Sequence, residues 1–161
     1  MTVSGIGYDV HRFVEGRPLV LGGVELAHTH GLDGHSDADV LSHAIADAVL
    51  GAIGERDIGF HFPNTDNSIR GISSLEILRR AGALVREAGG RVLNIDATLI
   101  AEAPQIAPHV DEMRANLAAA LSLPLARTGV KATTNERMGF LGRGEGIAAM
   151  AVASVELPEA A

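Results

Sequence analysis

The apolar positions of the chain change period several times, and each change predicts an element. Residues 3 to 13, containing GIGYDVHRF, read as a strand. PLVLGGVELAH, Pro18 to His28, reads as a β-hairpin turning at Gly22-Gly23. From about Asp37 to Ala52 the period becomes helical: Val40, Leu41, Ala44, Ile45, Ala48 and Val49 form one predicted buried stripe. The next stretch, GERDIGFHFPNTDNSIRG, is punctuated by Gly, Asp and Pro and reads as a long ordered loop. A second helix is expected from Ser73, where Ser73 and Glu76 have capping-box spacing, to Gly89-Gly90. A strand follows through VLNIDATLIA, then a third helix from about Pro108 to Leu121, with proline at its start. TGVKATT and GIAAMAVASVEL read as two closing strands.

This order predicts an α/β (α+β sandwich) fold with helices on one face of a mixed sheet. The alternation of Ile147, Ala149, Ala151, Ala153 and Val155 points to burial of the other face too, against further subunits. No internal repeat, low-complexity tract or linker interrupts the chain, so residues 1–161 are expected to form a single domain.

Composition narrows the function classes. The 161 residues are 47% hydrophobic and 20% charged, as in an ordinary globular protein. A net charge of −7 argues against a large basic surface for nucleic acid. With no cysteine, disulfides, thiolate metal sites and a cysteine nucleophile are excluded together. MTVSGIGYDV has neither a basic n-region nor an apolar h-region, and no apolar run nears the roughly 20 residues of a membrane helix. A cytoplasmic location is expected.

Candidate chemistry begins at Asp9 and His11. In a strand they share one face, with Val10 on the other, predicted to anchor the strand in the core. A solvent-facing strand end is the plainer reading; two ligands for one metal is the sharper one. Ser36, Asp39, His43 and Asp47, spaced by three, four and four, form a polar row on the first helix. A polar row is ordinarily a wet side, but a wet side favours Lys, Glu and Arg, and this row holds only Asp, Ser and His. His43 added to Asp9 and His11 makes a two-histidine, one-carboxylate set with room for an open position, as in a catalytic zinc site. The same set suits non-haem iron; zinc is favoured because nothing else here suggests oxygen chemistry. His35-Ser36 stands where the loop meets the helix, a place suited to anions, though Ser36 can equally be a simple cap. KATTNERMGFLGRGEG brings Thr133, Thr134, Glu136, Arg143 and Glu145 together among glycines, either an oxyanion cradle or an ordinary glycine-rich turn. Asp57, Ile58, Gly59 and the run from Phe62 to Asp66 offer polyol-binding groups or plain Asx-turns. His28, His30, His61 and His109 are expected to be surface or structural.

Taken together, GYDVHRF, the run from HSDADVLSHAIADAVLGAIG to DIGFHFPNTD, AEAP from residue 101, and KATTNERMGFLGRGEG resemble the 2-C-methyl-D-erythritol 2,4-cyclodiphosphate synthase family. The similarity spans nearly the whole chain, in order. It implies a homotrimer with active sites between adjacent subunits and an apolar channel on the threefold axis. It implies cyclisation of 4-diphosphocytidyl-2-C-methyl-D-erythritol 2-phosphate with release of CMP, in isoprenoid precursor synthesis. By position it implies Asp9, His11 and His43 as zinc ligands and His35 and Thr134 as catalytic groups. Glu136 would hold a second cation, magnesium or manganese, at the substrate diphosphate. The remaining implied substrate contacts are Ser36, Asp47, Asp57, Ile58, Gly59, Phe62, Pro63, Asn64, Thr65 and Asp66 on one side. On the other they are Ala101, Glu102, Ala103, Pro104, Gln105, Ile106, Ala107, Thr133, Asn135, Phe140 and Arg143. Asn64, Gln105, Asn135 and Leu141 depart from the residues common in some relatives. Two rival functions remain open: another zinc-dependent phosphoesterase, and a non-catalytic oligomeric module binding a prenyl phosphate.

Overall fold

The computed structural model describes residues 1–159. Its longest strand, β1 (Thr2–Glu15), is followed by the hairpin β2 (Leu19–Leu21) and β3 (Val24–Leu26), then by the short β4 (His30–Leu32). After these come α1 (Val40–Ala52), α2 (Ile58–His61), α3 (Ser74–Glu87), β5 (Arg91–Ile100), α4 (Val110–Leu121), β6 (Thr128–Thr133), α5 (Gly139–Gly142) and β7 (Gly146–Glu156). The main sheet runs β4-β1-β7-β5-β6. Its pairs are antiparallel except β5 with β6, whose parallel crossover carries α4. Among the described residues no helix is long and apolar enough to cross a membrane.

The central packing event is α1 lying on β1. Here Gly5 and Gly7 do what no other residue can: a β-carbon on Gly5 would sit 2.1 Å from the Ala48 carbonyl oxygen, and one on Gly7 1.8 Å from that of Ala44. The helix backbone therefore touches the strand backbone. Because α1 also packs on β7 and α3, it is buried on almost every side, with only Asp47 half-buried and Gly51 exposed; Ala46 and Leu50 are as buried as the predicted stripe. The polar row on α1 is consequently not a wet side.

Strand alternation then reverses one expectation. Gly7, Asp9 and His11 face α1, so Val10 points the other way and is 39% exposed, not in the core. The β7 row from Ile147 to Val155 likewise lies beneath the helices, at 0–2% exposure, and needs no further subunit to cover it. The open face is carried instead by Ile6, Tyr8, Met150 and Val152, in register as Ile6↔Val152 and Tyr8↔Met150.

Several boundaries shift for local reasons. Asp39, not Asp37, caps α1 by accepting from Ser42 N at 3.1 Å. Its carboxylate also accepts from Gly22 N and Gly23 N at 2.9 and 2.8 Å, tying the β2–β3 turn to the helix. Ser73 caps α3, but Glu76 pairs with Arg79, so only half of the capping box forms. Pro108 lies in a 3-10 turn ahead of α4. The long loop contains α2 and a 3-10 turn at Asn67–Ile69, capped by Asp57 and Asp66.

Gly7→Ala is expected to lose about 3 kcal/mol or more of unfolding free energy, because a backbone oxygen cannot move aside cheaply. Gly51→Ala, on the exposed side of α1 with 3.9 Å of clearance, is expected to gain up to about 1 kcal/mol. Denaturant titration of both variants measures the contrast.

Candidate metal centre and its cavity

The contact of α1 with β1 brings three side chains to one point. Asp9 Oδ2 lies 2.9 Å from His11 Nε2 and 3.0 Å from His43 Nδ1, and the two nitrogens are 3.3 Å apart. His43 is buried, while Asp9 and His11 are half-buried. These three are the described His, Asp and Glu groups whose ligand atoms all converge. Burial disfavours the Asp9 carboxylate, but hydrogen bonds with His11 and His43 outweigh it and hold the carboxyl well below its ordinary range. Burial also disfavours the charged form of His11, yet its bond to Asp9 prevails and raises the imidazole.

The donor set fits a cation. The other nitrogen of His11, Nδ1, faces the Asp33 carbonyl, which can only accept, so it carries the proton. A histidine that ligates a metal must be neutral, and in that form His11 directs its Nε2 lone pair at Asp9 Oδ2, itself an acceptor. Acceptors within about 3 Å and without a shared proton repel one another, and a divalent ion between them removes that repulsion. Carboxylate and imidazole donors suit zinc among other metals.

The rest of the polar row has separate tasks. Ser36 Oγ and Ser74 Oγ approach His43 Nε2 at 3.2 and 2.8 Å. Asp47 accepts from Ile58 N at 2.8 Å, tethering α2 to α1; burial raises its carboxyl despite that bond. A cavity of about 510 Å³ opens above the three ligands, lined by His35, Ser36, Ile58, Gly59 and Phe62 through Thr65. Its wall also includes Ile69 and Ile72, ahead of α3, and Ile77, on the first turn of α3, which sequence reading missed; the apolar spacing of the three was the available signal. Ser74 was also missed, hidden beside the more obvious cap Ser73. His35 Nε2 is 3.2 Å from the Asp66 carbonyl at the cavity mouth. The carboxylates of Asp57 and Asp66 cap their own turns, on Phe60 N and Ser68 N.

The second predicted cluster forms elsewhere. Ala101 N donates to the Thr133 carbonyl at 3.0 Å, joining the 101–107 segment to the end of β6. Glu102 accepts from Asn135 N and Arg137 N at 2.9 and 3.1 Å, holding a turn in which Glu136 and Arg137 take left-handed conformations. Thr133, Thr134, Glu136, Phe140 and Arg143 are exposed; Ala101 and Ile106 are buried; Ala103, Gln105 and Ala107 are exposed, with Pro104 half-buried. Arg143 pairs with Glu145 at 2.7 Å. None of these residues lines the cavity. Register explains why: Val10, Ala148, Ile100 and Thr133 are level on successive strands. Three strand spacings put the two clusters about 14 Å apart. Of the remaining histidines, His28 and His30 group with Phe13, and His61 lies 3.3 Å from Glu55.

A family model described as the YgbB family matches residues 2–156. The chain is 57% identical over 160 residues to the 2-C-methyl-D-erythritol 2,4-cyclodiphosphate synthase of Akkermansia muciniphila, covering 99% of this chain and 95% of that one. The bifunctional IspDF of Campylobacter jejuni superposes with a TM-score of 0.93 at 42% identity, covering 99% of this chain and 43% of the longer one. A CDP-bound structure of 2C-methyl-D-erythritol-2,4-cyclodiphosphate synthase superposes with a TM-score of 0.87 at 36% identity, covering 95% of this chain and 99% of that one.

Added zinc is expected to raise the midpoint of thermal unfolding, by about 2.7 kcal/mol of stabilisation at a hundredfold excess over its dissociation constant. His11→Ala is expected to abolish the rise. An equal rise in the variant would place the ion elsewhere.

Proposed function

The chain belongs to the YgbB family, and from that premise we propose that it is a 2-C-methyl-D-erythritol 2,4-cyclodiphosphate synthase of isoprenoid precursor synthesis, a phosphorus–oxygen lyase. The observation that carries this reading is the convergence of Asp9, His11 and His43 on the floor of a cavity walled by the predicted erythritol-binding loop. The substrate is 4-diphosphocytidyl-2-C-methyl-D-erythritol 2-phosphate. An oxygen of its 2-phosphate bonds to the β-phosphorus, the bond from that phosphorus to the α-phosphate oxygen breaks, and CMP leaves with the electron pair. The nucleophile belongs to the substrate, which suits a chain without cysteine.

Positioning and charge neutralisation must then supply the rate. Zinc held by Asp9, His11 and His43, with magnesium or manganese at Glu136, would supply Lewis-acid polarisation of the phosphoryl oxygens. His35 and Ser36, at the cavity mouth and floor, hold the diphosphate in line. Asp47, through Ile58 N, fixes the turn that presents Gly59 and Asp57 to the erythritol. Phe62 through Asp66 close over it, while Ile69, Ile72 and Ile77 keep water from the electrophilic phosphorus. Residues 101–107 with Thr133, Thr134 and Asn135 take the cytidylyl end, Phe140 adds a substrate contact, and Arg143 lies near the channel of the trimer, where it can meet a phosphate.

This division needs more than one chain, because the clusters are about three strand spacings apart on the same sheet. A homotrimer covering the face of Ile6, Tyr8, Met150 and Val152 brings one subunit's cavity to its neighbour's β6 end. Residues 1–161 act as one catalytic domain, in the cytoplasm.

Phosphorus NMR of the reaction is expected to show a cyclic diphosphate and CMP; a linear phosphate product would overturn the assignment in favour of a hydrolase. His43→Ala is expected to lower turnover at least 100-fold while the assembly stays intact. Turnover that survives the loss of zinc would remove the metal from catalysis. Light scattering should give the mass of three chains, and Val152→Glu should lower it.

A further inference from the structure

The metal reading leaves unexplained how His43 offers Nδ1, the nitrogen nearer its own backbone, and not Nε2. The answer lies behind the ring. Ser74 Oγ is 2.8 Å from His43 Nε2, and Ser74, the first residue of α3, is fully buried. A serine hydroxyl has one proton to give. Asp37 claims it: its Oδ1 accepts from Ser74 Oγ, while Oδ2 accepts from Ser74 N at 3.0 Å. A bond to a carboxylate is roughly twice as strong as one between neutral groups, so the Ser74 proton stays on the Asp37 side. Only a lone pair then faces His43, and the ring must donate Nε2–H to it. That tautomer leaves the Nδ1 lone pair directed at Asp9 Oδ2 and His11 Nε2. Ser36 Oγ, at 3.2 Å, is the competing hydroxyl; it is the longer contact and already accepts from Ala38 N.

Resting on the reading of Asp9, His11 and His43 as a metal site, we propose that Asp37 and Ser74 are positioning residues that act as one chain, Asp37–Ser74–His43, to fix the ligating tautomer of His43. Neither touches the ligand point itself. Their side chains come from the segment before α1 and the first turn of α3, so the metal ligand is locked by a helix that contributes no ligand. The arrangement parallels that of His11, whose outer nitrogen is fixed by the Asp33 carbonyl.

Calorimetric titration of the full chain with zinc tests this. Ser74→Ala is expected to raise the zinc dissociation constant 10- to 100-fold, and Ser36→Ala by less. Asp37→Ala should also weaken zinc, and the Ser74→Ala/Asp37→Ala pair should be no weaker than the worse single variant, since both break one chain. Proton NMR of the zinc-loaded protein supplies a readout that a merely structural role would not move. The His43 Nε2–H should be protected from exchange in the parent and lose that protection in Ser74→Ala. If Ser74→Ala fails to fold, Asp37→Asn, which keeps the shape but not the charge, should still weaken zinc and deprotect Nε2–H. Parent protein that takes up no zinc contradicts the metal reading itself. Parent protein that binds zinc while these variants bind it within about twofold, or variants whose effects multiply, overturns the relay alone.

Discussion

Everything that gives the site its geometry depends on backbone meeting backbone where α1 lies on β1. Gly5 and Gly7 remove the two β-carbons that would hold the helix away. The same strand face continues to Asp9 and His11, and the same helix carries His43 immediately before its contact residue Ala44 and little more than one turn before Ala48. A helix lifted by even a methyl group would carry His43 Nδ1 away from Asp9 Oδ2, now 3.0 Å distant. Fold stability and metal geometry are set by one contact.

Electrostatics completes what packing begins. The chain is acidic overall, yet its proposed substrate is a polyanion, so positive charge must be local. The acidic side chains near the site are largely committed: Asp39 to the helix cap and hairpin turn, Asp47 to α2, Asp37 to Ser74. Asp9 alone is directed at both histidines. Carboxylates that organise backbone thus surround one that is left to hold an ion.

Much of this was legible in the sequence because it depended on period. Alternation puts Asp9 and His11 on one face, and helical spacing puts His43 and Asp47 on one row of α1, whereas Asp39 is the cap and Ser36 lies ahead of the helix, across the left-handed Ala38. Local pattern does not say which face of a strand meets the core, and there the reading failed. Val10 looked like the anchor because it is apolar and Asp9 and His11 are not, but a buried metal set inverts that rule, and Val10 faces outward. The same ambiguity holds for β7, where two apolar faces on one strand cannot be ranked without knowing where α1 lies. GIG read only as strand, because the need for glycine arises from a helix about forty residues later. Asp37 and Ser74 escaped notice because their partnership spans two segments, and each also looks like ordinary helix-start chemistry. The second cluster was found by its motif, but its distance from the first follows only from strand order.

The most direct test is anomalous diffraction at the zinc edge from crystals of the zinc-loaded protein. The account predicts one strong peak per chain, about 2.0–2.2 Å from Asp9 Oδ2, His11 Nε2 and His43 Nδ1. A peak held by other residues, or by His43 through Nε2, would contradict it.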